Sequence, residues 1–395
     1  MKKTLNITVV IPYYFPFSGG QEMHTYFLVK YLKKFNVKIR IITTKTDNEL
    51  KSYEKYNNVE IFRLKPLFDI YSNPFPMGLF NLLMRLDTDI FHIQGFWSFF
   101  ANITTLVSKI RNIPIVFSFH GFQSTLFEKN ILTRLIVYTY LFTIGKLMIR
   151  NLDIITCNHI QDKKILEKMG INERKIKILP SGLDTEIYDK ISKKITPKLE
   201  NYFISKYNIS KPILLYVGRL IERKGCQFLL KALPSVIKKY PKLKCIIIGD
   251  GPQEKTFKEL AIKLGLKNNT IFTGYLKPVS KELIFFYKIG DIQILPSSAE
   301  SMPVSVMEGL YFGKNILITD LHFAKWISYN GKKLYIPLNP ENIYDMSQKI
   351  INLLENKELR EKLSKEGKEF IRENLSWNEL AKLTYKLYLK RLNYS

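Results

Sequence analysis

LLYVGRLIERKG at residues 214–225, CIIIGDGP at 245–252 and PSSAESMPVSVMEGLYFG at 296–313 are three separated stretches built to one plan. Each belongs to or follows a short apolar run rich in strand formers, breaks at a turn, and leads on toward a helical pattern. In the first, the run 214–217 stops at Gly218, so Arg219 and Lys224 fall in the loop before a helix that starts near Gly225. Open α/β sheets bind ligands at the carboxyl ends of their strands, and a diphosphate that leaves water there needs fixed positive charge. Alone the pair does not make a site, because an Arg and a Lys in a surface loop are as a rule simply solvated. The second stretch ends in Gly-Asp-Gly-Pro, a turn that lets backbone approach a ligand or a neighbouring element. An ordinary strand-end turn reads the same way, and the stretch serves mainly to extend the alternation. In the third, 292–296 ends a strand, Pro303 suits the first turn of a helix and Gly313 its end. Glu300 therefore sits in the loop and Glu308 in the early helix. Free N–H groups at a helix start can hold phosphate oxygens, and a carboxylate can accept hydrogen bonds from sugar hydroxyls. Glutamate near a helix start is favoured by the macrodipole in any case.

The same alternation runs outward in both directions. Strand-like runs at 7–11, 37–43, 90–93, 115–119, 154–157 and 176–179 form one series, and runs from 213, at 245–248, 270–272, 292–295 and 316–319 form another. Strands alternating with helices imply parallel sheets covered on both faces. At 395 residues the chain exceeds a single core, so two Rossmann-like domains are expected. Residues 1–183 make the first and 212–375 the second. The polar, Lys-rich stretch 184–211 reads as the linker between them, and the charged helical tail from about 340 leaves 376–395 as a last helix.

Composition excludes several classes. Cys157, Cys226 and Cys245 are isolated and odd in number, which argues against a disulfide framework or a metal knuckle. The amino terminus has the positive start of a secretory signal, but its apolar run ends at Pro12 and reads better as a first strand. Residues 135–149, interrupted by Lys146, fall short of the roughly 20 residues a spanning helix needs. Net charge is +26, and residues 1–183 hold 25 basic and 13 acidic residues, leaving +12, so the excess is spread over both halves. An even spread without zinc spacing or RNA-binding aromatic motifs speaks against a nucleic-acid partner. The basic excess fits anionic headgroups or a phosphorylated lipid acceptor, as it also fits compositional bias in a chain rich in Lys, Ile and Asn. The segment 127–150, where Lys129, Arg134, Lys146 and Arg150 punctuate apolar residues, reads as a surface-lying helix or as one packed on the first sheet.

Taken together, Arg219 and Lys224 in GRLIERKG and the Glu300-x7-Glu308 arrangement resemble the retaining glycosyltransferases of the GT-B fold, family four. Gly19-Gly20, His120 in FSFHGF and Pro180-Ser-Gly-Leu-Asp184 extend the resemblance over essentially the whole chain. It implies two Rossmann-like domains facing across a cleft, with the last helix crossing back to the first domain. It also implies that Arg219 and Lys224, with Gly218 at the turn, hold the diphosphate of a nucleotide sugar. Glu308 would take the ribose, Glu300 with Ser301, Met302 and Pro303 the transferred sugar, and His120 would lie near that sugar. The Gly19-Gly20 loop would approach sugar and diphosphate from the first domain. Ser301-Met302-Pro303 stands where family members commonly carry Gly-Phe-Gly, and Lys325-Trp326 where a Gly-Gly pair and an acid are usual.

The expected activity is metal-independent transfer of a sugar with retention, without a cofactor, onto a glycan or a lipid-linked acceptor. Asp87 and Asp89 have the spacing of a metal-binding pair but precede a first-domain strand and read as loop residues. No carboxylate nucleophile stands out in the first domain, which favours a same-face mechanism. His92 and Gln94 follow a first-domain strand, where acceptors bind in such folds, although packing accounts for His92 equally well. A nucleotide-sugar epimerase, an inverting transferase, or a non-catalytic nucleotide-binding or membrane-docking partner are the alternatives. The expected location is cytoplasmic, or peripheral on the cytoplasmic face of a membrane.

Overall fold

The computed structural model describes residues 4–17, 19–70, 73–95, 98–120, 139–158, 160–300, 303–321, 323–329 and 331–393. The chain divides into two compact units: Met1–Gly182 together with Trp377–Ser395, and Leu183–Ser376.

The first unit holds an eight-stranded sheet. Its order is Ile176–Ile178, Ile154–Cys157, Ile115–Phe119, Ile90–Gln94, Leu5–Val10, Val37–Thr44, Val59–Leu64 and Tyr53–Tyr56. All neighbours are parallel except the last pair, which is antiparallel. Alternation along each strand divides the side chains between two cores. Phe91, Ile93, Phe117, Phe119 and Ile155 enter one, while Ile7, Val9, Ile39, Ile41, Ile90 and Val116 enter the other. The second core is covered by the helices Gly20–Leu32 and Trp377–Arg391, which pack on each other. Trp377, Leu380, Ala381, Thr384 and Tyr388 are the buried positions of the last helix and recur at helical spacing, so it presents one stripe to this unit. Strand order reverses between Leu5–Val10 and Ile90–Gln94, and the loops after those two strands leave the sheet at that switch point.

The second unit is a six-stranded parallel sheet ordered Thr270–Gly274, Lys244–Ile248, Ile213–Val217, Ile292–Leu295, Asn315–Thr319 and Tyr335–Leu338. Numbered within the unit this is 3-2-1-4-5-6, the Rossmann order, over one continuous core. The expected linker at 184–211 is instead part of this unit. Asp184 caps the helix Thr185–Ser192 and Thr196 caps Pro197–Tyr207, which has Pro197 in its first turn. Their lysines are solvated while Tyr188, Ile195 and Phe203 enter the core, so a polar average over the stretch concealed two amphipathic faces. Of the segment 127–150, residues 127–138 lie outside the described residues. In its remaining part Met148 and Ile149 are buried, and Ile144 and Leu147 are exposed. Among the described residues no helix is long and apolar enough to cross a membrane.

Candidate functional site

In the second unit the strand order reverses between Ile213–Val217 and Ile292–Leu295, so the loops after these strands flank one point on the sheet's carboxyl edge. Hydrogen bonds lock the two loops together. Ser298 N–H donates to the Arg223 carbonyl at 2.9 Å and the Arg223 guanidinium to the Ala299 carbonyl at 3.2 Å. From below, the Tyr216 hydroxyl reaches the carbonyls of Arg219 and Lys224 at 3.3 and 3.4 Å. Gly225 has φ +77° and faces the Pro296 carbonyl so closely that a Cβ would overlap it. The Gly-Asp-Gly-Pro turn packs against the same loop, with Leu220 N–H donating to the Asp250 carbonyl at 2.6 Å and Gln253 N–H to the Leu220 carbonyl at 3.1 Å. Its glycines therefore serve a close approach of backbone to backbone.

Across this junction Lys224 forms an ion pair with Glu300, the side chains being 16% and 8% exposed. The Ser297 hydroxyl donates to the same Glu300 oxygen at 2.9 Å. Arg219 is exposed, and its guanidinium has no hydrogen-bond or ion-pair partner among the described residues. Gly218 donates its N–H to the Ile248 carbonyl at 3.0 Å. Ser301 and Met302 lie outside the described residues. Pro303 is the N-cap residue of the helix Val304–Tyr311. In that helix Glu308 is 6% exposed and accepts hydrogen bonds from both the Tyr188 hydroxyl and, at 2.7 Å, the Tyr287 hydroxyl. Burial raises the Glu308 pKa and the two phenols partly offset that rise. The glutamates thus differ in kind: Glu300 is charge-paired at the loop, whereas Glu308 is held between two tyrosines with one lone pair on each oxygen left over. An exposed guanidinium in the same loop as a Lys and carboxylate pair suits a ligand that carries both anionic oxygens and hydroxyl donors.

In the first unit Gly19 caps the helix Gly20–Leu32, but the helix start is not vacant. The Glu22 carboxylate turns back to accept from the N–H groups of Gly19 and Glu22, and burial raises its pKa. His120 stands at the end of the strand Ile115–Phe119, half-buried, with Nε2 2.8 Å from Gln94 Oε1. The His24 ring meets it edge-on at 4.8 Å between centroids. Desolvation lowers all three of these pKa values, His120 to about 4, His92 to about 3 and His24 well below the ordinary value. His92 and Gln94 do not offer an acceptor surface. They are 1% and 0% exposed, and their polar atoms bond to each other and to Ser118, Tyr388 and His120. Strand alternation points both side chains toward the last helix, beneath which they are sealed.

Asp89 accepts from the Asn6 N–H at 2.8 Å and Asp87 from the Asn6 side chain at 3.0 Å, so both fasten the start of the first strand. Among the described residues no group of three or more His, Cys, Asp or Glu side chains is placed to hold a metal. Reasoning from sequence missed Tyr188 and Tyr287, which nothing local signals. It also missed Ser118, Thr156 and Tyr388, of which the first two were signalled by polar residues at alternate positions of otherwise apolar strands.

Known proteins resemble this chain in sequence and in fold. The family described as glycosyl transferases group 1 matches residues 199–370, and that described as glycosyltransferase family 4 matches residues 18–187. An uncharacterised glycosyltransferase of Methanocaldococcus jannaschii is 29% identical, with 98% of each chain covered. The alpha-monoglucosyldiacylglycerol synthase of Streptococcus pneumoniae is 25% identical over 77% of this chain and 68% of its own. Among solved structures, Anabaena HepE in complex with UDP superposes with a TM-score of 0.69 at 14% identity, over 98% of this chain and 100% of that one. Two glycosyltransferase families matched in succession along the chain, on two Rossmann-like units, give the assignment: the protein belongs to the group 1 glycosyltransferases of the GT-B fold.

Proposed function

We propose that the protein transfers a sugar from a nucleotide diphosphate sugar to a lipid-linked glycan or glycolipid, with retention at the anomeric carbon and without a metal. The observation that carries this reading is the Lys224–Glu300 pair at the switch point of the second unit, with the exposed Arg219 in the same loop. Arg219 and Lys224 bind the diphosphate and stabilise the charge that grows on it as it departs, the role a metal takes elsewhere. Glu300 accepts hydrogen bonds from hydroxyls of the transferred sugar, and Glu308 reaches the ribose with the lone pairs its tyrosines leave. In the first unit His120 orients the sugar, and Gly19-Gly20 admit a close backbone approach. Because the Glu22 carboxylate already closes that helix start, the cations of the second unit carry the anion binding.

Transfer proceeds on one face of the sugar. The bond from the anomeric carbon to the donor's phosphate oxygen breaks, the acceptor hydroxyl oxygen bonds to the same carbon, and its proton passes to the departing phosphate oxygen. A lipid-linked acceptor is supported by the basic excess, by exposed Leu67, Phe68, Ile70, Met77 and Phe80 in the first unit, and by similarity to a synthase of a glucosyl lipid. The test is a calorimetric and thermal-shift panel of UDP-, GDP- and ADP-sugars against wild type and Arg219→Ala/Lys224→Ala. Proton NMR of the product anomer and turnover in a chelator complete it. One nucleotide binds selectively and the double variant loses it, the product keeps the donor's configuration, and the chelator leaves turnover intact. No binding by any donor, or an inverted product, overturns the reading.

A further inference from the structure

His92, Gln94, Ser118, His120 and Thr156 occupy alternate positions of three adjacent strands or, for His120, the residue just beyond. A period of two sends them to one face. Register sets Gln94 beside Ser118 and Ser118 beside Thr156. Four of the five are closed off from water, with Gln94 at 0%, His92 at 1%, Ser118 at 4% and Thr156 at 5% exposure. A buried polar group left without a partner costs roughly 1–3 kcal/mol, so such a stripe under Leu380 and Trp377 is not what core stability selects. The cavity beside it measures about 10 Å³, room for about one water, so the stripe is not a ligand pocket.

Its polar atoms are instead joined end to end. His120 Nε2 lies 2.8 Å from Gln94 Oε1, and Gln94 Nε2 lies 3.1 Å from His92 Nε2. His92 Nδ1 bonds to the Tyr388 hydroxyl on the last helix, and His92 Nε2 lies 2.7 Å from Ser118 Oγ. A primary amide has a direction, since its oxygen only accepts and its nitrogen only donates. With the oxygen toward His120, that ring carries its proton on Nε2 and leaves Nδ1 bare. With the nitrogen toward His92, the second ring is bare at Nε2, protonated at Nδ1, and donates to the Tyr388 oxygen. The orientation of one buried amide therefore sets the tautomers of two histidines. The His24 ring, itself edge-on to Trp377 at 4.8 Å, flanks His120 and limits its rotation.

We propose that Gln94 is a positioning residue for His120, holding its imidazole in one orientation with the proton on Nε2, and that His92 and Tyr388 anchor this hold to the carboxyl-terminal helix. The inference rests on the reading of His120 as a group that works on the donor sugar.

The test uses the full chain with nitrogen-15-labelled histidine, read by NMR, and steady-state kinetics of transfer from the donor selected by the binding panel. Wild type, Gln94→Leu, Tyr388→Phe and His120→Ala are compared. Wild-type His120 shows a single Nε2–H tautomer. Gln94→Leu mixes the tautomers and lowers kcat about 10- to 100-fold, while KM for the donor stays within about 3-fold, as loss of orientation without loss of binding requires. Tyr388→Phe, which keeps the core filled, mixes the tautomers of His92 and lowers kcat less. A folded Gln94→Leu protein with the wild-type His120 tautomer and kcat overturns the proposal. Should that variant not fold, unchanged His92 and His120 tautomers in Tyr388→Phe overturn it instead. The underlying reading fails separately: wild-type turnover in His120→Ala removes His120 from the chemistry, while the spectra of Gln94→Leu still report whether the hold exists.

Discussion

Arg219 and Lys224 carry the same charge in one loop, but their surroundings separate what each can lose. Arg219 is exposed and without a partner among the described residues, so Arg219→Ala removes only what the guanidinium does for a ligand. A charge-assisted hydrogen bond contributes about 1.5–3 kcal/mol, so donor affinity should fall roughly 10- to 100-fold in this variant. Its melting temperature should stay at the wild-type value. Lys224→Ala should lose comparable affinity and also melt lower, because Glu300, 8% exposed, is left with Ser297 as its remaining polar partner among the described residues. Calorimetry and thermal melts on the two single variants check this. Equal melting losses, or wild-type donor affinity in Arg219→Ala, would sink the distinction. The eight-residue spacing of Glu300 and Glu308 was legible in the sequence, but the difference between them was not. It arises from Tyr188 and Tyr287, 120 and 21 residues away along the chain, and no local pattern reports contacts of that range.

The loop 218–225 shows the same division at the scale of elements. That a strand ends at Gly218 and a helix begins near Gly225 follows from the apolar run and its breakers, and the strand Ile213–Val217 and helix Cys226–Lys239 lie where that reading puts them. What the loop rests on was not legible, because Pro296 and Asp250 reach it from other strands of the sheet. Gly225→Ala tests the consequence. A residue other than glycine at φ +77° costs about 1–2 kcal/mol before any contact is considered, and here the new Cβ would also overlap the Pro296 carbonyl. The loop must shift to relieve both, carrying Lys224 away from Glu300. Melting temperature and donor affinity should therefore fall together, and a Gly225→Ala protein with wild-type donor affinity would show that the junction does not position the cations. Two of the edge strands were not legible. Tyr53–Tyr56 is largely exposed and polar, and Tyr335–Leu338 contains Pro337, both habits that protect a sheet edge and erase the strand signal.

For the whole molecule, acid should separate the two units, because the three buried histidines with lowered pKa values lie in the first, while raised carboxylates, Glu22 in the first unit and Glu308 in the second, act the other way. His24, His92 and His120 all lie in the first unit with lowered pKa values, about 3 for His92 and about 4 for His120. In the unfolded chain a histidine titrates near 6.5, so below that pH the unfolded state binds protons that the folded unit refuses. The stability these neutral rings allow is fully present above about pH 6.5. It declines by up to about 1.4 kcal/mol per pH unit per histidine as pH falls toward the folded values. Glu308, in the second unit, has the reverse sign: its raised pKa means the folded state takes up a proton before the unfolded state does, so acidification favours that unit at this group. The net charge of +26 grows with acid and adds self-repulsion in both units, and the histidines set the order. Between about pH 6.5 and 4 the first unit should melt progressively earlier and become the first target of a protease, with cleavage sites outside Leu183–Ser376. His92→Phe should flatten that dependence even where it lowers stability at neutral pH, since it removes a titrating group together with a hydrogen-bonded one. Cleavage beginning inside Leu183–Ser376, or melting that does not respond to pH in this window, would mean that the polar stripe under the last helix is not what limits the protein in acid.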